Sequence, residues 1–273
     1  DMDDVLGYAG KRVVVTGAAS GMGEQTAKLL VELGADVTAL DIKPVAVPVA
    51  RSIEMTLLEA ASIEEAAASI DGPIDSIFSC AGLPGAPFTE IETATANFTG
   101  AVHLIEQLVD RMPSGSSIGC IASSAGIGWQ QELEATAEFL AVEGFDARVR
   151  YLEEHPEAMP IGGYRFSKVV MNQWVANAAV DLGPRGIRVN CLNPGPTASA
   201  MMPAFHENAG KDVVDGSLGI IMRYSEPVEQ AWPLVCLNSP RFSYVTGEAL
   251  WADGGFLAAL SVGRHPGMTG LQL

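Results

Sequence analysis

The chain has 273 residues and carries 33 acidic against 16 basic side chains, which gives a net charge of −17 at pH 7. Such a charge repels nucleic-acid backbones and anionic membrane surfaces, so we expect neither as a partner. Hydrophobic residues make up 48 % of the sequence, enough for one large α/β core, and we expect residues 1–273 to form a single domain.

Membrane, secretory and metal-binding signals are missing from the sequence. No run approaches the ~18 apolar residues that a membrane span needs, and the first four residues lack the basic and apolar regions of a secretory signal. The four cysteines (80, 120, 191 and 236) are far apart, without a Cys-x-x-Cys pattern, and the histidines share no spacing with one another. We therefore expect a cytoplasmic protein with buried thiols, no disulfide and no metal site.

The first predicted elements are a strand, a glycine-rich loop and a helix. Residues 11–16 (Lys-Arg-Val-Val-Val-Thr) end in four β-branched residues, glycines follow at Gly17, Gly21 and Gly23, and helical apolar spacing runs from Glu24 to Leu33. Glycines let the backbone turn tightly and approach a pyrophosphate, whose charge is favoured at a helix N-terminus. A glycine triplet alone would be weak among 29 glycines, but in this context it predicts a dinucleotide-phosphate site.

The second predicted strand, residues 36–40, is followed at once by Asp41, which lies 24 residues after Gly17. A carboxylate there can accept hydrogen bonds from both hydroxyls of an adenosine ribose, and it would repel the 2′-phosphate of NADP. Ile42 stands where an arginine would favour NADP. The pattern favours NAD, although the nearby Lys43 keeps NADP open, and a solvated aspartate that simply ends a strand is the structural alternative.

Strands and helices alternate along the rest of the chain. Further strands are predicted at 52–57, 74–80, 117–122, 186–192 and 248–251, and helices at 62–70, 91–112, 162–180 and from Pro227 onward. Ser62 followed by Glu65 predicts a capping box, and Pro233 predicts a kink or an early end of the last helix. The alternation predicts one Rossmann-type, doubly wound parallel sheet with helices on both faces, and ligands at the carboxyl ends of its strands.

Two segments interrupt this alternation. Residues 127–163 contain two acidic, amphipathic stretches and predict an inserted helical segment. Residues 198–224 are rich in methionine and other apolar residues, with Gly210, Gly216 and Gly219 as candidate hinges. Loops of this length are usually functional or disordered, so the second segment predicts a substrate lid. The apolar residues of the first segment fit either a pocket wall or an oligomer interface.

Tyr164 and Lys168 are four residues apart on a predicted helix, so their side chains lie on one face. A tyrosine hydroxyl titrates near ~10, and an ammonium group one turn away favours the phenolate and lowers that pKa. Such a tyrosine could exchange a proton with an alcohol or ketone. For an isolated pair, a surface tyrosine and lysine would be the better interpretation.

In combination, these motifs resemble the short-chain dehydrogenase/reductase family. They follow the family order between residues 11 and 255: the glycine loop, Asp41, Cys80-Ala81-Gly82, Asn97, Ser123, the Tyr164/Lys168 pair, Pro194-Gly195 and Asp253-Gly254-Gly255. The long segment before Tyr164, the run after the sixth strand and the tail are similar to bacterial 3α-hydroxysteroid dehydrogenase/carbonyl reductases. The resemblance implies an NAD(H)-dependent oxidoreductase that interconverts a hydrophobic secondary alcohol, alicyclic or steroid-like, and its ketone.

The resemblance also implies a role for each matching residue. Asn97, Ser123, Tyr164 and Lys168 fall on the catalytic tetrad. Implied cofactor contacts are Thr16, Gly17, Ser20, Gly21, Met22 and Gly23 at the pyrophosphate, Asp41 at the ribose, Ala81 and Gly82 beside the cofactor, Tyr164, Lys168, Pro194 and Gly195, and Thr197 and Ser199 at the nicotinamide carboxamide. Ser123 would bind the substrate oxygen, Tyr164 would exchange its proton, and Lys168 would lower the tyrosine pKa and hold the nicotinamide ribose. Asn97 would support a water next to Lys168, or it simply bonds to backbone.

The chain departs from the family pattern at several points. Ser123 and Tyr164 are 41 residues apart, far more than is usual, which puts the family's dimer contact in question, although we expect a homodimer or homotetramer. Cys80 also replaces a usual asparagine.

Two competing hypotheses keep the fold but change the function. An NAD(H)-binding regulatory protein without turnover would not need the intact Ser123, Tyr164 and Lys168. A lyase or dehalogenase typically loses the glycine loop or the lysine, and both are present here.

Overall fold

A computed structural model describes residues 4–265, and its strands form one seven-stranded parallel sheet in the order β3-β2-β1-β4-β5-β6-β7. The strands are β1 (Arg12–Thr16), β2 (Asp36–Asp41), β3 (Arg51–Glu54), β4 (Ser76–Ser79), β5 (Ser117–Ile121), β6 (Arg188–Pro194) and β7 (Ala249–Ala252). The chain winds outward from β1 to one edge and then from β4 to the other, so the predicted doubly wound Rossmann-type sheet is confirmed. Residues 1–3, most of the segment judged for a secretory signal, and residues 266–273, the end of the tail, lie outside the described residues.

Helices cover both faces of this sheet. They are α1 (Gly21–Glu32), α2 (Ala60–Ser69), α3 (Glu90–Ala94), α4 (Ala101–Leu108), α5 (Leu133–Leu140), α6 (Phe145–Glu154), α7 (Gly162–Leu182), α8 (Met202–Ala209), α9 (Lys211–Gly216), α10 (Pro227–Asn238) and α11 (Phe256–Ser261). Within residues 4–265, none of the helices combines the length and the apolar character that a bilayer span requires.

Two buried clusters fill the space between the sheet and the helices. Val13 and Val15 of β1 point into the cluster shared with α1 and α10, whereas Val14 points into the cluster shared with α2, α4 and α7. This alternation is the two-residue period of a strand buried on both faces. The strand ends are level, since Thr16 aligns with Leu40 of β2 and with Ser79 of β4. The loops that follow these strands therefore meet at one edge of the sheet.

The inserted segment folds onto the main core. Phe139 of α5 packs against Phe98 and Phe166, with ring centroids 5.5 and 5.0 Å apart. Arg148 of α6 is buried, and its guanidinium donates to the Val142 carbonyl at 2.9 Å and to the Glu106 carboxylate at 2.9 Å. Phe139 is 1 % exposed and therefore lines neither a pocket nor an oligomer interface. Phe139 and Arg148 therefore join the inserted segment to the core of the same chain.

The segment 198–224 contains α8 and α9, which Gly210 separates. The Tyr224 hydroxyl donates to the Asp215 carboxylate and lies 3.1 Å from His206 Nε2, so polar contacts tie the two helices to the end of the segment. Gly219 packs so closely on residues 253 and 254 that a Cβ would overlap their backbone. The glycine is needed for this close approach, and its expected role as a hinge stays a prediction.

Several local predictions differ from the structure. Ser62 does not cap α2, which begins at Ala60, because the Ser62 hydroxyl accepts a hydrogen bond from the Thr56 N–H at 3.0 Å. Pro233 does not end α10, which continues to Asn238, since the buried Leu234 and Val235 hold the second half against the sheet. The helix predicted at 91–112 is divided into α3, a π-helical stretch at Thr95–Gly100, and α4. Helix α11 was not predicted.

Candidate active site

The glycine loop lies between the end of β1 and the first turn of α1. Gly17 has φ +71°, and a Cβ at this position would lie 2.8 Å from the backbone of Ala81. A Cβ at Gly23 would overlap the carbonyl oxygen of Gly17. Ser20 precedes α1, and its side chain makes no capping hydrogen bond, so the helix N-terminus is not satisfied from within. This backbone fits a pyrophosphate at the positive end of the helix dipole.

Asp41, the last residue of β2, lies beside this loop. Its Oδ2 accepts a hydrogen bond from the Ala19 N–H at 2.9 Å, and its Oδ1 accepts one from the Lys43 N–H at 2.9 Å. Both contacts are with backbone donors, and they hold the carboxylate at the strand end. Ile42, the next side chain, is 60 % exposed. A carboxylate anchored here fits the hydroxyls of an adenosine ribose.

The loop after β4 is fastened from two sides. The Thr16 hydroxyl oxygen accepts hydrogen bonds from the N–H of Ala81 at 3.1 Å and of the residue before it at 3.0 Å. Asn97, in the π-helical stretch, accepts from the Leu83 N–H at 2.6 Å and donates to the Leu83 carbonyl at 3.0 Å. A Cβ at Gly82 would lie 2.8 Å from Asn97 Oδ1. Asn97 thus bonds to backbone, the second of the two roles predicted for it.

Ser123, Tyr164 and Lys168 come together beyond the end of β5. The Ser123 side chain lies close enough to the Tyr164 hydroxyl to lower its pKa. Lys168 Nζ lies 5.3 Å from the centroid of the Tyr164 ring and donates to the Ile121 carbonyl at 3.4 Å. The Glu90 carboxylate accepts from the Gly163 N–H at the start of α7. Because Lys168 bonds to Ile121, the last residue of β5, the first two turns of α7 lie at the end of that strand.

Burial dominates the titration of both residues on α7. It raises the pKa of Tyr164 above its usual value, and the Ser123 side chain opposes this shift. Burial lowers the pKa of Lys168 to about 8. Lys168 is not among the groups that shift the Tyr164 pKa, so the expected lowering by the lysine stays a prediction. With its pKa raised, Tyr164 keeps its proton at neutral pH.

The loop after β6 completes the same edge. Pro194 ends the strand, and the Thr197 hydroxyl donates to the Gly195 carbonyl at 3.0 Å and lies 2.9 Å from the Ser225 hydroxyl oxygen. The Ser199 Cβ lies 4.0 Å from where a Cβ on Gly21 would be. The loop thus reaches the glycine loop, and the residues predicted to contact a cofactor lie along one edge of the sheet.

Helix α8 lies over this edge. The Phe205 ring meets the Tyr164 ring edge to face, with centroids 5.1 Å apart. Asn208 donates from its side-chain amide to the carbonyls of Pro84 at 3.3 Å and Ala86 at 3.2 Å, in the loop after β4. Met202 is half-buried at the start of the helix. Helix α8 therefore places the apolar side chain of Phe205 against the tyrosine.

Comparison with known proteins identifies the family. The family described as short chain dehydrogenase matches residues 11–137, and the one described as enoyl-(acyl carrier protein) reductase matches residues 158–257. A 2,5-dichloro-2,5-cyclohexadiene-1,4-diol dehydrogenase of Sphingobium indicum is 31 % identical over 92 % of this chain and 98 % of its own. The chain belongs to the short-chain dehydrogenase/reductase family. It is therefore an oxidoreductase of the class that acts on alcohols and ketones.

Other members of this family are similar over most of their length. Coniferyl-alcohol dehydrogenase of Pseudomonas sp. is 27 % identical over 90 % of this chain and 96 % of its own. 3-alpha-hydroxysteroid dehydrogenase/carbonyl reductase of Comamonas testosteroni is 28 % identical over 91 % and 97 %. The structure of the 3-alpha-hydroxysteroid dehydrogenase from Pseudomonas sp. B-0831 complexed with NADH superposes with a TM-score of 0.78, at 24 % identity and over 92 % and 98 % of the two chains. The predicted resemblance is confirmed.

Sequence analysis missed three polar residues of this short-chain dehydrogenase/reductase. Asn172 and Asn193 are buried and hydrogen-bonded to each other behind Ser123 and Lys168, and Asn208 links α8 to the loop after β4. Asn193 had a visible signal, since an asparagine interrupts an apolar strand just before Pro194-Gly195. Asn172 lies one helical turn after Lys168. The sequence contains no indication that the two amides meet.

Proposed function

We propose that the protein is an NAD(H)-dependent oxidoreductase that interconverts a hydrophobic secondary alcohol, alicyclic or hydroxysteroid-like, and its ketone. The observation that carries this proposal is the convergence of Ser123, Tyr164 and Lys168 beneath the apolar helix α8, with Phe205 against the tyrosine ring. A spectrophotometric screen of ketones and secondary alcohols with NAD(H) tests it. A lack of turnover with any apolar ketone or alcohol would contradict it.

In this mechanism Tyr164 holds the proton that is exchanged with the substrate oxygen. Because burial raises its pKa, the hydroxyl is protonated at neutral pH and is ready to donate to a ketone oxygen. Ser123, next to the same hydroxyl, orients the substrate oxygen toward it. Lys168 Nζ lies 5.3 Å from the centroid of the tyrosine ring, so it places a cationic group near the phenol that becomes negative when the tyrosine gives up its proton.

The glycine loop and Asp41 would hold the cofactor. Residues 17, 21 and 23 would accept the pyrophosphate and Asp41 would accept hydrogen bonds from the ribose hydroxyls, while Thr197 and Ser199 lie on the loop that reaches the glycine loop. When bound, NAD(H) supplies or accepts the hydride. The chain's own residues exclude water through α8 and fix the substrate oxygen at Ser123 and Tyr164.

The lid supports an apolar substrate. Met202 and Phe205 offer apolar surface over the tyrosine, whereas the basic residues of the segment are engaged elsewhere. Lys211 bonds to Asp215, and Arg223 forms a two-pronged pair with Glu229 at 2.7 and 2.6 Å. A carboxylate or phosphate substrate would find no basic partner on the described part of the lid. The relatives named for coniferyl alcohol and hydroxysteroids agree with this class.

Cofactor preference provides a first test. Asp41 should favour NAD over NADP by on the order of 100-fold in kcat/KM, about 3 kcal/mol, because a 2′-phosphate would meet its negative charge. Replacing Asp41 by serine should reduce that ratio at least tenfold. Asp36, at the opposite end of the same strand, supplies the control Asp36→Asn. Equal kcat/KM values for the two cofactors in the wild type would show that Lys43 or another base overrides Asp41.

The substrate class provides a second test. Phe205→Ser removes the ring over Tyr164, and burying such a side chain is worth ~1.5–3 kcal/mol. We expect KM for a bulky alicyclic ketone to rise roughly tenfold or more, with little change for a small ketone. Phe242→Ser, which changes an aromatic residue outside the lid, is the matched control. An unchanged KM for the bulky ketone, or a wild-type preference for small anions, would contradict the apolar-substrate proposal.

A further inference from the structure

Two buried asparagines link the elements that carry Ser123 and Lys168. Asn172 lies on α7 and Asn193 near the end of β6, and they are 1 % and 0 % exposed. Their amides face each other in a reciprocal pair: Asn172 Nδ2 donates to Asn193 Oδ1 at 3.0 Å, and Asn193 Nδ2 donates to Asn172 Oδ1 at 2.9 Å. Each amide has capacity left for a further partner.

The outer partners of the pair belong to the two candidate catalytic elements. Asn193 Oδ1 also accepts from the Ser123 backbone N–H at 3.3 Å, and Asn172 Nδ2 also donates to the Lys168 carbonyl at 2.8 Å. The Cys191 thiol donates to Asn172 Oδ1 at 3.2 Å. A continuous chain of hydrogen bonds therefore runs from Ser123 through both amides to the helical turn of Lys168.

The two ends of this chain fix the orientation of both amides. The Ser123 N–H can only donate, so it requires the oxygen of Asn193, and the Lys168 carbonyl can only accept, so it requires the nitrogen of Asn172. Turning either amide over would place two donors or two acceptors together in a buried site, which costs more than the hydrogen bonds gain. The pair thus has one arrangement, and it holds β5 and α7 in one register.

We propose that Asn172 and Asn193 form a positioning pair that sets the Ser123 hydroxyl against the Tyr164 hydroxyl, above Lys168. This inference rests on the proposed function of the three residues. Neither amide touches the reacting groups, and both act through the backbone of Ser123 and Lys168. Displacement of a catalytic group by about 1 Å from a remote change costs up to ~10²-fold in rate, so the effect belongs in kcat rather than in cofactor binding.

Asn190 of the same strand is a matched control. It is also 0 % exposed and is hydrogen-bonded to two residues, donating to the Val245 carbonyl at 3.0 Å and accepting from the Glu248 N–H at 2.9 Å. Its partners lie toward β7, away from Ser123 and Lys168. Asn190→Ala and Asn193→Ala therefore remove the same group from one buried strand, with two hydrogen bonds to nitrogen or oxygen lost at Asn190 and three at Asn193. The comparison separates a loss of stability from a loss of positioning.

The experiment compares these two variants in turnover and in thermal unfolding. Asn193→Ala should reduce kcat by roughly 10- to 100-fold, with KM for NADH within twofold. Both variants should lower the unfolding temperature by similar amounts, and Asn190→Ala should leave kcat within a few-fold of the wild-type value. The double variant Asn172→Ala/Asn193→Ala should be no slower than the slower single variant, because the two residues act as one unit. If Asn193→Ala does not fold, Asn193→Ser, which leaves a smaller cavity, carries the same expectation.

A second comparison distinguishes positioning from a structural role. When Ser123→Ala has removed the hydroxyl, adding Asn193→Ala should lower the remaining kcat by less than threefold, since the group that it positions is gone. An equal loss in both backgrounds, or equal effects of Asn193→Ala and Asn190→Ala on kcat, would overturn the inference. If Ser123→Ala itself leaves kcat unchanged, the proposed function fails instead.

Discussion

Replacing Tyr164 by phenylalanine is expected to reduce turnover by ~10² to 10⁴-fold, the range for loss of a general acid or base, while NADH binding stays within a few-fold. The phenyl ring keeps the contacts with Phe205 and with Lys168, since both involve the ring. Only the proton-carrying hydroxyl, which lies next to Ser123, is lost. Initial rates of ketone reduction and a fluorescence titration with NADH measure the two quantities.

Tyr151→Phe is the control for this variant. Its hydroxyl lies 3.4 Å from the Glu138 carboxylate on the surface of the inserted segment, remote in sequence and in contacts from Ser123. We expect its turnover to match that of the wild type. If Tyr164→Phe retains turnover within a few-fold, Tyr164 has no part in proton transfer, and the proposed mechanism is wrong although the family assignment stands.

The sheet was predictable because its signals are local. Short runs between predicted helices mark all seven strands to within three residues at either end. The prediction of a capping box at Ser62 was wrong because the Ser62 hydroxyl accepts a hydrogen bond from the Thr56 N–H. That contact depends on how the loop before α2 folds. Helix α11 follows the Asp-Gly-Gly motif, and its few turns carry little periodicity.

The candidate site was predictable in its residues and less so in its electrostatics. Tyr164 and Lys168 share a helix face, as their spacing requires, but the pKa of each depends on how completely the fold removes water around it. The Asn172 and Asn193 pair lay beyond sequence reasoning for a similar reason. Its members are 21 residues apart on different elements, and only packing brings their amides into contact.

Lys168→Met is expected to abolish most of the turnover and yet stabilise the protein at neutral pH. Lys168 is 6 % exposed, its hydrogen bond to the Ile121 carbonyl is 3.4 Å long, and no carboxylate of the described residues contributes to its pKa. Burying a cation under these conditions is costly. The side chain is kept for chemistry, because the fold would be more stable with an apolar residue of this length.

The stability gained by Lys168→Met should depend on pH, as the direction of the Lys168 pKa shift requires. The Lys168 pKa falls from 10.5 to about 8 on folding. Below pH 8 the lysine is charged in both the folded and the unfolded state, so the folded state bears the full cost of burying the ammonium group. Between pH 8 and 10.5 the unfolded chain binds more protons than the folded protein, so the stability of the wild type rises with pH. At pH 7 the methionine variant should therefore be more stable by on the order of 1–3 kcal/mol, and the difference should shrink as the pH rises toward 10.5.

Chemical denaturation of both proteins between pH 7 and pH 10 measures this difference, and NADH oxidation with a ketone measures turnover. Lys28→Met, on the exposed face of α1, is the control and should change neither quantity appreciably. Turnover in the Lys168 variant should fall by roughly 100-fold or more, because no cation then lies beneath the tyrosine that gives up its proton. A methionine variant that is less stable than the wild type at pH 7 would show that Lys168 has a stabilising partner, and full turnover would remove it from the proposed mechanism.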